Sequence, residues 1–169
     1  FLLFGVGGLT GLFLASLATD VPLHDTYFVV AHFHFIMVGG TITGFLAGLH
    51  YWWPKITGKL YPSFLSRLSA LIVFIGFNVT FFPMHIIGVG GHMRRIYDPT
   101  QYEFLRPLQH WNVIMPWGAM LLGASQLLFA VNFFWSLLAG RKAERNPWHA
   151  NTLEWEAPTP PPHGNFPGA

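Results

Sequence analysis

Cysteine is absent from all 169 residues, which excludes disulfides, thiolate metal centres and covalent cofactor attachment through sulfur within this chain. Charge is scarce as well. Only 9% of residues are charged, too few to coat a water-soluble domain of this size. Nine basic against seven acidic residues leave a net charge of +2, an excess too small for a nucleic-acid surface. An initiator Met and a basic stretch ahead of the first apolar run are also missing: the chain opens on Phe1 in the middle of that run. The expectation is therefore a piece of a longer protein, not a signal peptide.

What is present is apolar sequence in long blocks. Four stretches carry no Asp, Glu, Lys or Arg: 1–19, 27–53, 68–89 and 111–140. Roughly 20 apolar residues cross a bilayer as a helix, so the reading is an all-α membrane protein, a polytopic transmembrane helix bundle. Its helices are expected at about 1–17, 25–53, 64–89 and 111–140, within a membrane region 1–145. Residues 18–23, with Asp20 and Pro22, read as a turn. Gly5, Gly7 and Gly8, and then Gly40, Gly44 and Gly48 at every fourth position, predict close helix contacts. Pro83 is expected to kink the third helix. Tyr51, Trp52 and Trp53 form an aromatic belt. The Pro-rich segment 146–169, which includes Trp148 and Trp155, is expected as an irregular tail on the inner surface.

Lys55, Lys59 and Arg67 in one loop, and Arg141, Lys142 and Arg145 after the last helix, place those segments inside by the positive-inside rule. The loop 90–110 then lies outside although it carries Arg94, Arg95 and Arg106. A guanidinium pair in a Gly-rich turn (Gly88 to Gly91) suits buried carboxylates, and lipid headgroups suit it equally.

The most informative spacing is His32 and His34, two residues apart at the head of an apolar run. Two residues on an α-helix are about 200° of rotation, so the imidazoles leave opposite sides and cannot easily share one metal. Neutral imidazole is a standard axial ligand of haem iron, and buried imidazole needs a partner. The pair suggests two haems flanking one helix, against the ordinary alternative of core histidines bonded to neighbours. Helix radius and side-chain reach put two such irons roughly 13 to 15 Å apart. His24 and Asp25 add two metal-competent side chains just upstream.

The string Leu23-His24-Asp25-Thr26-Tyr27, followed by Val30-Ala31-His32-Phe33-His34, Phe81-Phe82-Pro83 and Arg94-Arg95, closely resembles subunit I of the haem-copper oxidases. The resemblance spans nearly the whole chain and matches the last four of that subunit's twelve helices. It implies that His32 is the proximal, catalytic ligand of a high-spin haem and His34 an axial ligand of a low-spin haem, the two forming the A-type pair of such oxidases. It further implies that His24 and Asp25 bind magnesium and that Arg94 and Arg95 hold the haem propionates. The copper B ligands, the second low-spin ligand, a cross-linked tyrosine and the proton-channel residues belong to upstream helices of the family. Met84 stands where mitochondrial relatives commonly carry glutamine, and His85 receives no role.

The function so implied is reduction of oxygen to water with electrons from cytochrome c, coupled to proton translocation. Its partners would be oxidase subunits II and III, cytochrome c, oxygen and membrane lipid, with no nucleic acid. The setting would be a bacterial cell membrane, or alternatively a mitochondrial inner membrane. A quinol-fed oxidase of the same fold is the nearest rival. Two further readings stay open: a transporter or channel using the histidines as a proton or ion path, and a structural bundle. Opposite-facing His32 and His34 fit a single path poorly.

Overall fold

A computed structural model describes residues 1–166. Six α-helices carry the chain: α1 (Leu2–Ala15), α2 (Leu17–Leu23), α3 (Tyr27–Ile36), α4 (Thr43–Thr57), α5 (Ser63–Val89) and α6 (Gln109–Ala139). Three helical stretches are long and apolar enough to cross a membrane: Tyr27–Thr57, Ser63–Val89 and Glu103–Ala139. The bent pair α1 and α2 makes a fourth if it counts as one span. The expected all-α bundle is what forms.

Several boundaries differ from expectation, each for a local reason. Residues 18–23 are helical rather than a turn, because the break falls earlier. Ser16 is extended (φ −96, ψ 119), and α2 leaves α1 at 103°. The second long helix starts at Tyr27, not residue 25. Asp25 has φ 56, a left-handed conformation that no α-helix accommodates, and the Thr26 side chain caps the helix by accepting from Phe28 N–H at 3.2 Å. This helix is also not uniform, since a π-helical turn, Met37–Ile42, joins α3 to α4. Gly39 and Gly40 lie in that turn, where a Cβ would come 2.9 Å from Leu3 and from Phe4 respectively. Beyond it the helix runs through Pro54 to Thr57, and α5 continues through Pro83.

The glycine expectation needs a second correction. Gly5, Gly8 and Gly44 have no neighbour within 4 Å among the described residues, and Gly48 meets only Trp52 of its own helix. Of the expected positions, Gly7, against Ile36, and Gly40, against Phe4, do make close approaches, and a further one occurs at Gly76, where a Cβ would lie 2.8 Å from Leu122 backbone nitrogen. Gly88 is closer still, facing the Phe28 backbone. Every-fourth spacing marks a helix face without saying that anything covers it.

Contacts divide the chain into two compact units, 1–44 with 71–124, and 45–70 with the chain from 125 onward. The first is centred on Leu3, Phe35 and Phe77, with Val6, Val38, Phe81 and Leu122 packed around them. Phe35 and Phe77 meet edge to face at 4.9 Å and 87°, a geometry that adds about 0.5–1.5 kcal/mol beyond area burial. Lipid offers no hydrophobic driving force between helices, so such packing holds them together.

In the second unit Lys59–Leu60 pairs antiparallel with Arg141–Lys142. Trp53 donates from its indole to Ser136 Oγ at 2.7 Å. The described part of the tail, 146–166, is irregular but anchored. Trp155 is buried and donates to Tyr51 Oη at 2.9 Å. Lys55 Nζ donates to Ala157 O at 2.9 Å and Thr159 Oγ1 at 2.8 Å, and lies 4.8 Å over the Trp155 ring. Burial pushes the Tyr61 phenol up to about 12.

Candidate functional site

Helix α3 presents its two imidazoles to different neighbours. His32 faces α1: its Nδ1 lies 2.9 Å from Gly7 O and 3.2 Å from Thr10 Oγ1. A carbonyl can only accept, so Nδ1 carries the proton and Nε2 keeps its lone pair. Thr10 directs its own hydroxyl proton to a carbonyl, Val6 O or Gly7 O, each at 3.0 Å, which leaves its oxygen to accept. Gly11 makes room for the ring, since a Cβ there would sit 3.0 Å from His32 Cε1.

His34 turns toward α5 instead. Its ring stacks on Phe81 at 4.3 Å and 18° and on Phe33 at 4.6 Å and 29°. Its Nδ1 donates to Val30 O at 2.8 Å, so here too Nε2 is the free acceptor. Both rings are half-buried. Two imidazoles, each oriented through Nδ1 and each with Nε2 left open, could hold iron. The expected divergence of the pair is realised as contact with two separate helices.

A second cluster lies at the start of α3. Tyr27 N–H donates to His92 O at 2.9 Å and Arg94 N–H to Asp25 O at 3.0 Å, bracketing an antiparallel bridge between Thr26 and Met93. Arg94 also donates from Nε to Asp25 Oδ1 at 2.7 Å, and its terminal nitrogen contacts the same oxygen. That hydrogen bond and the Arg94 charge, with His24 and Arg95 adding to them, hold the Asp25 carboxyl below its ordinary value. Asp25 and Arg95 both have positive φ, 56 and 66, and such strain in non-glycine residues concentrates at functional sites. Arg95 is exposed and makes no hydrogen bond or ion pair among the described residues. The two arginines are thus not equivalent: Arg94 is committed to a carboxylate of this chain and Arg95 is not.

His24 stands between two carboxylates, its Nε2 3.8 Å from Asp25 Oδ2 and its Nδ1 3.6 Å from Asp20 Oδ2. His24 and Asp25 are therefore adjacent, but no group of three or more His, Cys, Asp or Glu among the described residues could enclose a metal ion. His85 is 8% exposed, with ring centroids 5.0 Å from Phe28, 5.4 Å from Phe35 and 5.9 Å from Phe82. Neither of its nitrogens is in hydrogen-bond geometry among the described residues. The supports of His32 (Gly7, Thr10 and Gly11) escaped sequence reasoning, because they lie more than twenty positions away on another helix.

Fold and site define a class: an all-α bundle with helices long and apolar enough to cross a membrane, in which α3 presents two imidazoles to two different helices. Residues 1–121 match the family model described as Cytochrome C and Quinol oxidase polypeptide I, and the chain belongs to that family. It is 48% identical over 165 residues to cytochrome c oxidase subunit 1 of Synechocystis sp., covering 96% of this chain and 29% of that protein. To the Bacillus subtilis protein of the same name it is 43% identical, covering 96% and 26%. To the heme-copper oxidase subunit I+III of Aeropyrum pernix it is 39% identical, covering 98% and 20%. The chain thus spans less than a third of the length of these relatives. A solved heme-copper terminal oxidase dimer shares the fold, with a TM-score of 0.71 at 24% identity over 85% of this chain and 26% of that one.

Proposed function

We propose that this chain forms the haem-ligating part of the catalytic subunit of a terminal respiratory oxidase, reducing oxygen to water with electrons from cytochrome c and coupling this to proton translocation. The observation that carries the reading is the pair of Nδ1-anchored, Nε2-free imidazoles on α3. His32 would hold the high-spin haem and His34 the low-spin haem. When bound, haem supplies iron that changes oxidation state by one electron.

The chain's own residues prepare those positions. Gly7 and Thr10 keep the proton of His32 on Nδ1, and Val30 does the same for His34. The Phe33 and Phe81 rings fix the plane of His34. Arg95 offers an unpaired guanidinium to a propionate, while Arg94 shares its charge with Asp25. His24 and Asp25 supply two ligands of a magnesium ion, a cation that keeps several waters when few protein ligands are at hand.

Cytochrome c as donor, rather than quinol, is supported by the names of the Synechocystis and Bacillus relatives; the family's own description embraces both donors. Bacterial relatives likewise favour a bacterial cell membrane over a mitochondrial one. A-type haems, copper B on residues outside this chain, and subunits II and III complete the proposal. A visible spectrum of the purified complex tests it, with oxidation of reduced cytochrome c measured against oxidation of a quinol. Absence of haem bands would overturn the reading, and turnover with quinol alone would move the protein to the quinol branch.

A further inference from the structure

The strained clasp at the start of α3 has a support that neither the haem ligands nor the magnesium pair accounts for. His92 is 2% exposed, and every polar group it owns is engaged. Its backbone N–H donates to Ile87 O at 2.9 Å, and its carbonyl accepts from Tyr27 N–H at 2.9 Å. In the ring, Nδ1 donates to Met93 O at 3.0 Å, so Nε2 is an acceptor, and it takes a hydrogen bond from Asn112 Nδ2 at 3.0 Å. The ring also meets Tyr27 edge-on at 4.7 Å and 80°.

Asn112 is itself oriented. Its second amide proton goes to Gln109 Oε1 at 3.0 Å, and Gln109 Nε2 donates to Leu105 O at 3.0 Å. Facing the carbonyl oxygen of Gln109 and the lone pair of His92, Asn112 can present only its NH2 group. A continuous run of hydrogen bonds therefore links the first turn of α6 through His92 to the carbonyl of Met93, the residue immediately before Arg94.

Arg95 stands at φ 66 and Asp25 at φ 56; a non-glycine residue in this region is strained and persists only where its surroundings over-determine it. His92 and Asn112 supply that determination from one side, and the Thr26 to Met93 bridge from the other. An imidazole so fully bonded has no nitrogen left for a metal.

We propose that His92, latched by Asn112, is a positioning residue for the arginine pair, fixing where the Arg94 and Arg95 charges stand and thereby tuning the haem potential. The proposal rests on the propionate reading of those arginines given above. Its chemistry is indirect: His92 contacts neither guanidinium and acts through the backbone of residues 93–95.

The test uses the intact oxidase, with haem content and redox titrations measured for H92L, H92Q, N112A, R95Q and the double variant H92L/R95Q. H92L and N112A are expected to lower a haem midpoint potential in the same sense as R95Q but by less. Gln at position 92 keeps an acceptor for Asn112 and should recover part of the shift. The double variant should fall short of the summed single shifts, because both changes act through the same charge. Should H92L fail to assemble, N112A, which removes the half-buried hydrogen bonds to His92 and Gln109 and leaves the His92 ring in place, carries the test alone. A shift in R95Q with unchanged potentials in H92L and N112A would overturn the positioning role and spare the propionate reading. Unchanged potentials in R95Q as well would overturn both.

Discussion

Arg94 donates from Nε to Asp25 Oδ1 at 2.7 Å, joining the loop after α5 to the residue just before the N-cap of the histidine-bearing helix. One charge therefore serves two candidate sites, the outer cation pair of His24 and Asp25 and the anion site beside Arg95. Substitutions here should separate the two.

Replacing Asp25 with Asn removes the charge of the proposed cation ligand and of the Arg94 ion pair while preserving shape. Weaker binding of manganese, used as a magnetic stand-in for magnesium, is expected with both haems retained. An electron paramagnetic resonance signal of normal intensity and shape in D25N would mean that the carboxylate serves only the Arg94 clasp.

The arginines should differ in what they report. R95Q and R94Q are each expected to lower a haem midpoint potential, since loss of a nearby cation favours the oxidised, more positive haem. R94Q should in addition weaken manganese binding, because only Arg94 is tied to Asp25. Equal effects of both variants on manganese would contradict that division.

Much of this was legible in the sequence, because it depends on short-range spacing. Apolar blocks gave the spans, and the two-residue step from His32 to His34 gave their divergence. The block from Leu23 to His34 also carried the family resemblance. What stayed hidden depends on residues far apart in the chain. Thr10 and Gly7 meet His32 across two helices, and His92 reads as one more loop histidine until Asn112 is seen beside it. The glycines were legible only in part for the same reason: of the spaced set, Gly40 meets Phe4 while Gly44 and Gly48 meet no other helix, whereas close approach at Gly76 and Gly88 is set by the partner helix.

Gly11 faces His32 closely enough that an alanine there must displace the ring, the Cβ lying 3.0 Å from Cε1. G11A should alter the high-spin haem spectrum and its carbon monoxide complex while leaving the low-spin bands in place. Unaltered carbon monoxide difference spectra would show that the ring yields without consequence.

Gly88 tests packing rather than ligation. A Cβ there would run into the Phe28 backbone, so neither partner can yield by a rotamer change. G88A should cost on the order of 1–3 kcal/mol or more, seen as a sharp loss of assembled oxidase in the membrane. Assembly at the normal level would mean that α3 and α5 can separate at this point.

The central claim is that His32 and His34 serve different haems, and paired difference spectra of their single variants test it most directly. With spectra normalised to assembled protein, Met at position 34 should perturb the low-spin bands. Leu at position 32 should instead perturb the high-spin haem and its reaction with carbon monoxide. Identical difference spectra from two well-assembled variants would contradict the account.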